Sequence, residues 1–437
     1  MTSASRSGQS SPRSSPALGP RPASPPPPRP GTRPAGLLLT AVACCGASLA
    51  TQAEFDSEKY LVYPAGPVTL RPQLEIAEVY DSNLFYAEEG AVDDFYTSIR
   101  PGLFAVYGER SANFFSLRYT LDASVYLDRD DLNNVGNLVG HQSRFQLSRV
   151  QLQANDSFSI TKALLGGTFS YIQKRIGMVT LNDLWRADYE ISPKALVGVK
   201  ALFDYINYDA SDLGEYHLYD YMAYGGGARF GYLPSEKIVL FPEVTASLTA
   251  LDPNKSTVPD ASDLTSVGIT LGAEGDFTPK LTGVITAGYE FREYADGSEI
   301  PDGWIAEAQL RWQARPKTSF SLGFRHWIQV SREAVAYAFD ADRVTVGATQ
   351  ELGTQGRWSL YLSGYYQLDS YDRDFVFGGV PVDRSDDLAG VTFRASYRWQ
   401  PWITFSGGYE FYTYGDNVPS IPDYDVHRLS LRMVAGY

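Results

Sequence analysis

The chain has 437 residues, an aromatic fraction of 14% with 30 Tyr, and a net charge of −14 at pH 7. That charge excludes nucleic acid as a partner. A mean hydropathy of −0.22 excludes a bundle of membrane helices, but not a membrane barrel, whose strands are only half apolar. The length suits either two or three soluble domains or one large barrel.

Residues 1–35 are rich in Ser, Pro and Arg, with a Pro25 to Pro28 run, five Arg and no acid. Such a segment buries no core. A short apolar run follows from Gly36 to Cys45 and passes through small residues to Ala53. Basic region, apolar run and small residues form a secretory signal, with cleavage expected after Ala50 or Ala53. We therefore read 1–53 as leader and cleaved signal peptide and 54–67 as a periplasmic lead-in. Both cysteines, Cys44 and Cys45, fall in the leader. The mature chain is then expected to carry no disulfide and no thiolate metal site.

From residue 68 to 437 one theme recurs: a two-faced run of about ten to fourteen residues, a short turn, another run, a longer polar loop. Side chains alternate faces along a strand. In Phe115–Leu127, the residues Phe115, Leu117, Tyr119, Leu121, Ala123, Val125 and Leu127 share one face, and Ser116, Arg118, Thr120, Asp122 and Ser124 the other. Leu281–Phe291 repeats the pattern. Trp304–Trp312 carries Trp at both ends of its apolar face, as a strand crossing two aromatic girdles would.

The short turns Ser192-Pro193-Lys194, Pro234-Ser235-Glu236-Lys237, Thr278-Pro279-Lys280 and Arg315-Pro316-Lys317 resemble one another, and Pro with polar neighbours suits tight turns. The alternate connections are long and acidic: Asp81–Asp94, Asp128–Gly140, Asp252–Asp263, Tyr294–Asp302, Ser370–Asp387 and Gly415–Asp425.

The expected strands are 68–80, 95–107, 114–127, 140–148, 150–158, 179–191, 195–207, 217–232, 238–250, 264–277, 281–292, 303–313, 319–329, 341–352, 358–368, 388–399, 403–413 and 426–437. The split at Ser148-Arg149 makes eighteen, an even number as bacterial barrels prefer; sixteen is the alternative. The last run, His427–Tyr437, sets Leu429, Leu431, Met433, Ala435 and Tyr437 against Arg428, Ser430 and Arg432. A sheet in lipid must close, because an open edge leaves backbone groups unpaired. The fold class is thus all-β, a transmembrane up-and-down antiparallel barrel over 68–437.

The segment Glu78-Val79-Tyr80-Asp81-Ser82-Asn83-Leu84-Phe85, then Asp93-Asp94 and Arg100-Pro101-Gly102-Leu103, resembles the opening of the putative beta-barrel porin 2 family. In that family a first strand ends in a Tyr-Asp-x-Asn-x-Phe-like motif and a second carries Pro-Gly. Tyr80, Asp81, Asn83, Phe85, Pro101 and Gly102 occupy those positions, and Tyr119 follows in the third strand. The resemblance implies an outer-membrane channel, and some relatives accompany exopolysaccharide export systems. From the residues alone, Asp81 and Asn83 turn the chain where it leaves the membrane, while Tyr80 and Phe85 sit at the interface.

The inward faces are then the functional surface. Arg71, Arg118, Arg311, Arg325, Arg343, Arg394, Arg398, Arg428 and Arg432 are candidate channel-lining cations, with Glu75 and Glu410 beside them. They read either as a basic ladder guiding anions or as a salt-bridged wall. The loop around Thr161–Met178 stands apart, carrying Lys162, Lys174 and Arg175 without an acid, together with Phe169 and Tyr171. It reads either as an inward constriction or as an exposed loop.

Enzymatic patterns are thin. The four histidines are His141, His217, His326 and His427. His141 and Ser143 share a strand face, but a serine lipase also needs an orienting group and an oxyanion donor. No phosphate-binding Gly loop, zinc pattern or calcium loop occurs, so no catalytic residue, metal or cofactor is expected.

The expected function is a channel for passive or gated passage of small hydrophilic solutes. The alternatives are an exopolysaccharide export barrel and a structural or adhesive barrel using its acidic loops. The expected partners are outer-membrane lipid, lipopolysaccharide, the barrel assembly machinery and polysaccharide export components.

Overall fold

A computed structural model of the chain describes residues 61–109, 111–166, 169–170, 172–213, 218–253, 263–295, 297, 300, 302–330, 338–371, 375–377, 380–418 and 421–436. The leader expected over 1–53, the start of the lead-in, Tyr171 and His217 lie outside these residues.

Eighteen long strands carry the fold. They are β1 (Val68–Asp81), β2 (Asp94–Tyr107), β3 (Phe114–Tyr126), β4 (Asn134–Leu147), β5 (Val150–Ala163) and β6 (Ile176–Ser192). Then come β7 (Ala195–Tyr208), β8 (Tyr219–Ser235), β9 (Ile238–Pro253), β10 (Leu264–Thr278), β11 (Leu281–Tyr294) and β12 (Gly303–Arg315). The last six are β13 (Thr318–Val330), β14 (Ala338–Leu352), β15 (Trp358–Tyr371), β16 (Ser385–Gln400), β17 (Ile403–Asp416) and β18 (Tyr424–Gly436). Each pairs antiparallel with its neighbours in sequence. The sheet closes where β1 meets β18, in register from Gln73↔Gly436 to Asp81↔Arg428. Ahead of β1, the short strand Tyr63–Ala65 folds back onto it through Gly66, whose φ of +66° suits a residue without Cβ.

Alternation decides the faces. Leu271 is 68% and Leu431 72% exposed on the outside of the barrel, as they would be only in contact with lipid. Trp304 and Trp312 point outward at the two ends of β12, with Trp304 opposite Tyr289 and Trp312 opposite Leu281. Tyr80 also faces out, its ring 5.0 Å from Phe95.

At one end the connections are short. Ser192 Oγ accepts from Lys194 N–H at 3.3 Å, Ser235 Oγ from Lys237 N–H at 3.4 Å and Thr278 Oγ1 from Lys280 N–H at 3.2 Å. The recurring Ser/Thr–Lys turns are thus one motif, in which the hydroxyl satisfies a turn amide.

The split at Ser148-Arg149 stands: Leu147 pairs with Val150 across a two-residue turn, with Ser148 at φ +55°. Both flanking strands run longer than expected, to 134–147 and 150–163. Asn134, Gly136 and Gly140 face the lumen, where water makes an apolar residue unnecessary, so β4 lacks a strong alternating signal. The loop expected over Asp128–Gly140 shrinks accordingly to a single 3-10 turn, Asp130–Leu132, and its flanks.

Candidate functional site in the lumen and outer mouth

The inward residues sort into three groups by their partners. The first is the closing seam. Arg428 Nε donates to Asp81 Oδ2 at 2.6 Å. Arg432 lies 3.3 Å from Glu75, Arg100 reaches both Asp122 at 2.7 Å and Glu75 at 3.5 Å, and Arg394 lies 3.7 Å from Glu410. Arg71 pairs with Glu109 of the β2–β3 turn at 2.6 Å, and Arg398 donates to the Gly356 carbonyl at 2.8 Å. Seven of the sequence-picked residues (Arg71, Glu75, Arg394, Arg398, Glu410, Arg428 and Arg432) are therefore bonded within the wall.

The second group lies across β6–β10. Arg229 is buried, bidentate to Asp188 at 2.9 and 2.7 Å and bonded to Glu274 at 2.9 Å. Arg186 stands 3.6 Å from Glu274 and 3.9 Å from Glu243, and Lys200 pairs with Glu243. Gly198 sits between Asp188 and Arg229 in register; a Cβ there would lie 2.0 Å from Asp188 Oδ1. Sequence reasoning missed Asp188 and Arg229, although both have the inward parity of Arg186 and Lys200.

The third group is Arg311, Arg325 and Arg343 on β12, β13 and β14. None has an ion-pair partner among the described residues. Arg325 and Arg343 are directly opposite each other across the β13–β14 ladder. Arg325 lies over Trp327 at 4.7 Å and Arg343 over Tyr365 at 4.3 Å, a geometry that holds a guanidinium without neutralising it. Arg118, on β3, lies over Phe104 at 4.5 Å. Arg118, Arg311 and Arg325 are exposed to the lumen.

At the long-loop end, the described residues 164–166, 169–170 and 172–175 lie at the mouth. Phe169 and Ile172 pack with Ile176, Tyr208 and Leu218 on the loop's own side. Leu164 packs against the Leu84, Phe85, Tyr126 and Leu132 cluster. At Gly166 a Cβ would lie 3.0 Å from Tyr424 Oη and 3.4 Å from the Tyr86 ring, so the backbone passes close to β18. Arg175 donates to Tyr126 Oη at 2.9 Å. Lys162 points the other way, to the outer wall, where it pairs with Asp212 at 2.9 Å; Lys174 is exposed.

The Tyr80–Phe85 segment explains the landing site. Asp81 Oδ1 accepts from Asn83 N–H at 3.0 Å, and Asn83 Nδ2 donates to the Ala87 and Asp425 carbonyls at 2.7 and 3.2 Å. The chain is thereby turned inward after β1. Phe85, expected at the lipid interface, is instead buried, under the Arg129 guanidinium at 4.6 Å. The Tyr86 ring lies tilted against those of Tyr424 and Tyr412, with centroids 5.2 and 6.3 Å away. Tyr86, Glu88, Glu89, Ser170, Gln173 and Pro422 line a cleft of ≈ 450 Å³ where the loops meet.

His141 and Ser143 do share a face, but it is the outward one. Asp156 holds His141 Nδ1, and His141 Nε2 is buried without a hydrogen-bond partner. No hydrogen bond joins Ser143 to the imidazole, so no nucleophile–base contact is formed.

A closed antiparallel barrel of eighteen strands, opening on the Tyr-Asp-Ser-Asn-Leu-Phe turn, is matched by one family description across residues 63–436, putative beta-barrel porin 2. The chain belongs to that family. It is an outer-membrane β-barrel of porin type. No curated protein matches the sequence.

Among solved structures, the porin-family chain is similar to the outer membrane protein OpdK from Pseudomonas aeruginosa, at 10% identity and a TM-score of 0.42, covering 84% of this chain and 99% of that one. It is similar to the FrpB iron transporter from Neisseria meningitidis at 9% identity and a TM-score of 0.42, covering 84% and 82%. It is also similar to the siderophore receptor PirA from Pseudomonas aeruginosa at 8% identity and a TM-score of 0.42, covering 84% and 80%. Likeness at this level says nothing of what passes through this barrel.

Proposed function

We propose that the protein is a gated outer-membrane channel for small hydrophilic solutes, with a preference for anionic ones. The observation that carries this reading is the contrast between the bonded seam arginines and Arg311, Arg325 and Arg343, which form no ion pair among the described residues although Glu307 stands opposite Arg325 in register. Fixed cations facing water raise the local anion concentration in a pore. The 164–175 loop supplies the gate, anchored on one side by Phe169 and Ile172 and latched on the other through Leu164, Gly166 and Arg175. The barrel works without a cofactor or a catalytic residue. Lipid and lipopolysaccharide surround its outer wall, and the barrel assembly machinery inserts it.

A second reading, passage of an exported polysaccharide together with export components, is favoured by one observation. Tyr86, Tyr412, Tyr414 and Tyr424 cluster at the outer end of the lumen, and tyrosine presents a flat apolar body with a polar tip.

The test is single-channel conductance of the refolded mature chain in a planar bilayer, with and without residues 164–175. Small steps that grow on loop deletion support the gated channel. Current only after deletion moves weight to the exporter. Silence from both, in protein whose gel migration shifts on heating, sinks the channel and leaves an adhesive barrel.

A further inference from the structure

On the lumen face of β3, β4 and β5, Arg118, Gly140 and Ser157 stand opposite one another in register. The next inward pair along β4 and β5 is Gln142 and Asn155. Gly140 leaves a dent among them. A Cβ built there would meet no heavy atom within 4 Å, whereas one at Gly136, further along the same face, would lie 2.7 Å from Thr161 Oγ1.

The groups around the dent have bonding capacity to spare. Arg118 is exposed to the lumen and has no ion pair among the described residues. Glu75, whose charge reaches it, is held by Arg432 at 3.3 Å and Arg100 at 3.5 Å. The Phe104 ring, 4.5 Å from the guanidinium carbon, steadies Arg118 without neutralising it. Gln142 is exposed and Asn155 half-buried, and neither side chain makes a hydrogen bond among the described residues. Ser157 Oγ accepts from Asn182 Nδ2 at 3.4 Å and keeps its own hydrogen to donate.

This chemistry selects a ligand. A guanidinium presents a planar fork that a carboxylate meets with two parallel hydrogen bonds. A phosphate monoester would set about two negative charges against that single cation. Amides and a hydroxyl donate and accept, and so pair with hydroxyl groups, which do the same. The missing side chain at Gly140 gives the ligand room beside the fork. We infer that this patch binds a small hydroxylated carboxylate, with its carboxylate on Arg118, its carbon chain over Gly140 and its hydroxyls on Gln142, Asn155 and Ser157. The inference rests on the reading of the lumen as a path for anions, and it names the class of anion. Recognition then belongs to β3–β5, and the general bias toward anions to Arg311, Arg325 and Arg343 on another sector of the wall.

The test is calorimetric titration of the refolded mature chain in detergent with sodium gluconate, a measurement that needs no conduction. Saturable binding is expected. Acetate and sorbitol, each carrying half of the chemistry, should bind weaker by about tenfold or more, the loss of a charge-assisted hydrogen bond or its equivalent. Arg118→Gln is expected to abolish gluconate binding and Arg118→Lys to weaken it. Gly140→Leu is expected to abolish it by filling the dent while leaving every charge in place. Each variant is first shown to be folded by heat-shifted gel migration. Should Gly140→Leu not fold, Arg118→Gln, which removes a water-facing group, carries the comparison. No saturable gluconate binding by the folded chain overturns the inference. So does binding that survives Arg118→Gln or a folded Gly140→Leu, or acetate or sorbitol binding as tightly as gluconate. A barrel that conducts anions in a planar bilayer but does not bind gluconate sinks this site and leaves the channel reading; one that binds gluconate but never conducts keeps the site and sinks the channel.

Discussion

Arg428 donates to Asp81 across 2.6 Å, and that bond joins the last strand of the barrel to the first. Asp81 is buried and also accepts from the Asn83 amide, so one carboxylate both closes the sheet and starts the turn that sends Leu84 and Phe85 inward. Asp81→Ala leaves Arg428 without its acid, and removing one partner of a buried pair costs about 3 kcal/mol. The expected result is a lower urea midpoint for the lipid-refolded barrel. Asp81→Asn, which keeps the turn acceptor, should recover part of the loss. Equal midpoints for wild type and Asp81→Ala would mean that strand pairing alone holds the seam.

At Gly198 the buried Asp188–Arg229 pair lies directly against the backbone. A Cβ placed 2.0 Å from Asp188 Oδ1 forces the carboxylate away from Arg229. Gly198→Ala is expected to destabilise by about 1–3 kcal/mol, the range for overpacking, read as the same urea midpoint. An unchanged midpoint would show that the wall relaxes around the methyl group.

Arg325 and Arg343 are held over Trp327 and Tyr365. Replacing both by Glu reverses the sign of this sector and should move the reversal potential in a KCl gradient toward cation preference. Arg394→Glu with Arg432→Glu, which disturbs the bonded seam instead, should mainly reduce stability. A reversal potential indifferent to Arg325 and Arg343 would remove them from the conduction path.

Arg175 donates to Tyr126 at the landing side of the loop. A hydrogen bond from a charged donor contributes roughly 1.5–3 kcal/mol. Tyr126→Phe deletes the acceptor and keeps the ring, so the loop should spend more time released. More frequent large conductance steps, with an unchanged unit step, are expected in bilayer recordings.

Leu271 and Thr270 are neighbours on opposite faces of β10. Arg at a lipid-facing midplane position costs about 2–4 kcal/mol, so Leu271→Arg should impair refolding strongly. Thr270→Arg, pointing into the lumen, should leave it nearly unchanged. Similar effects of the two would invalidate the assignment of faces.

The barrel was legible in the chain because lipid on one side and water on the other impose a two-residue period on every strand. Phe115–Leu127 and Trp304–Trp312 show that period without help, and the Ser/Thr–Lys turns mark one end of the hairpins. The signal fades where both constraints relax. Asn134, Gly136 and Gly140 sit on the water side, and His141 interrupts the apolar side, so β4 was read six residues short. Phe85 was misplaced for a related reason: an aromatic residue at a strand end suits the interface and a buried cluster equally well.

What the sequence by itself determined is the barrel class, the two faces of its strands and most of the ionisable side chains that point inward, since these follow from local alternation; it left the strand number at eighteen or sixteen and passed over Asp188 and Arg229. Which of those side chains neutralise one another was decided only by the tertiary structure. Closure sets Arg428 beside Asp81 and Arg432 beside Glu75, partners more than 340 residues apart, and so removes them from the ladder that counting suggested. The register of the sheet likewise sets Arg325 between Glu307 and Arg343, and brings His141, Asp156 and Asp183 side by side on the outer wall. Charge compensation depends on distances of 3 to 4 Å between strands, and those distances exist only once the register is closed.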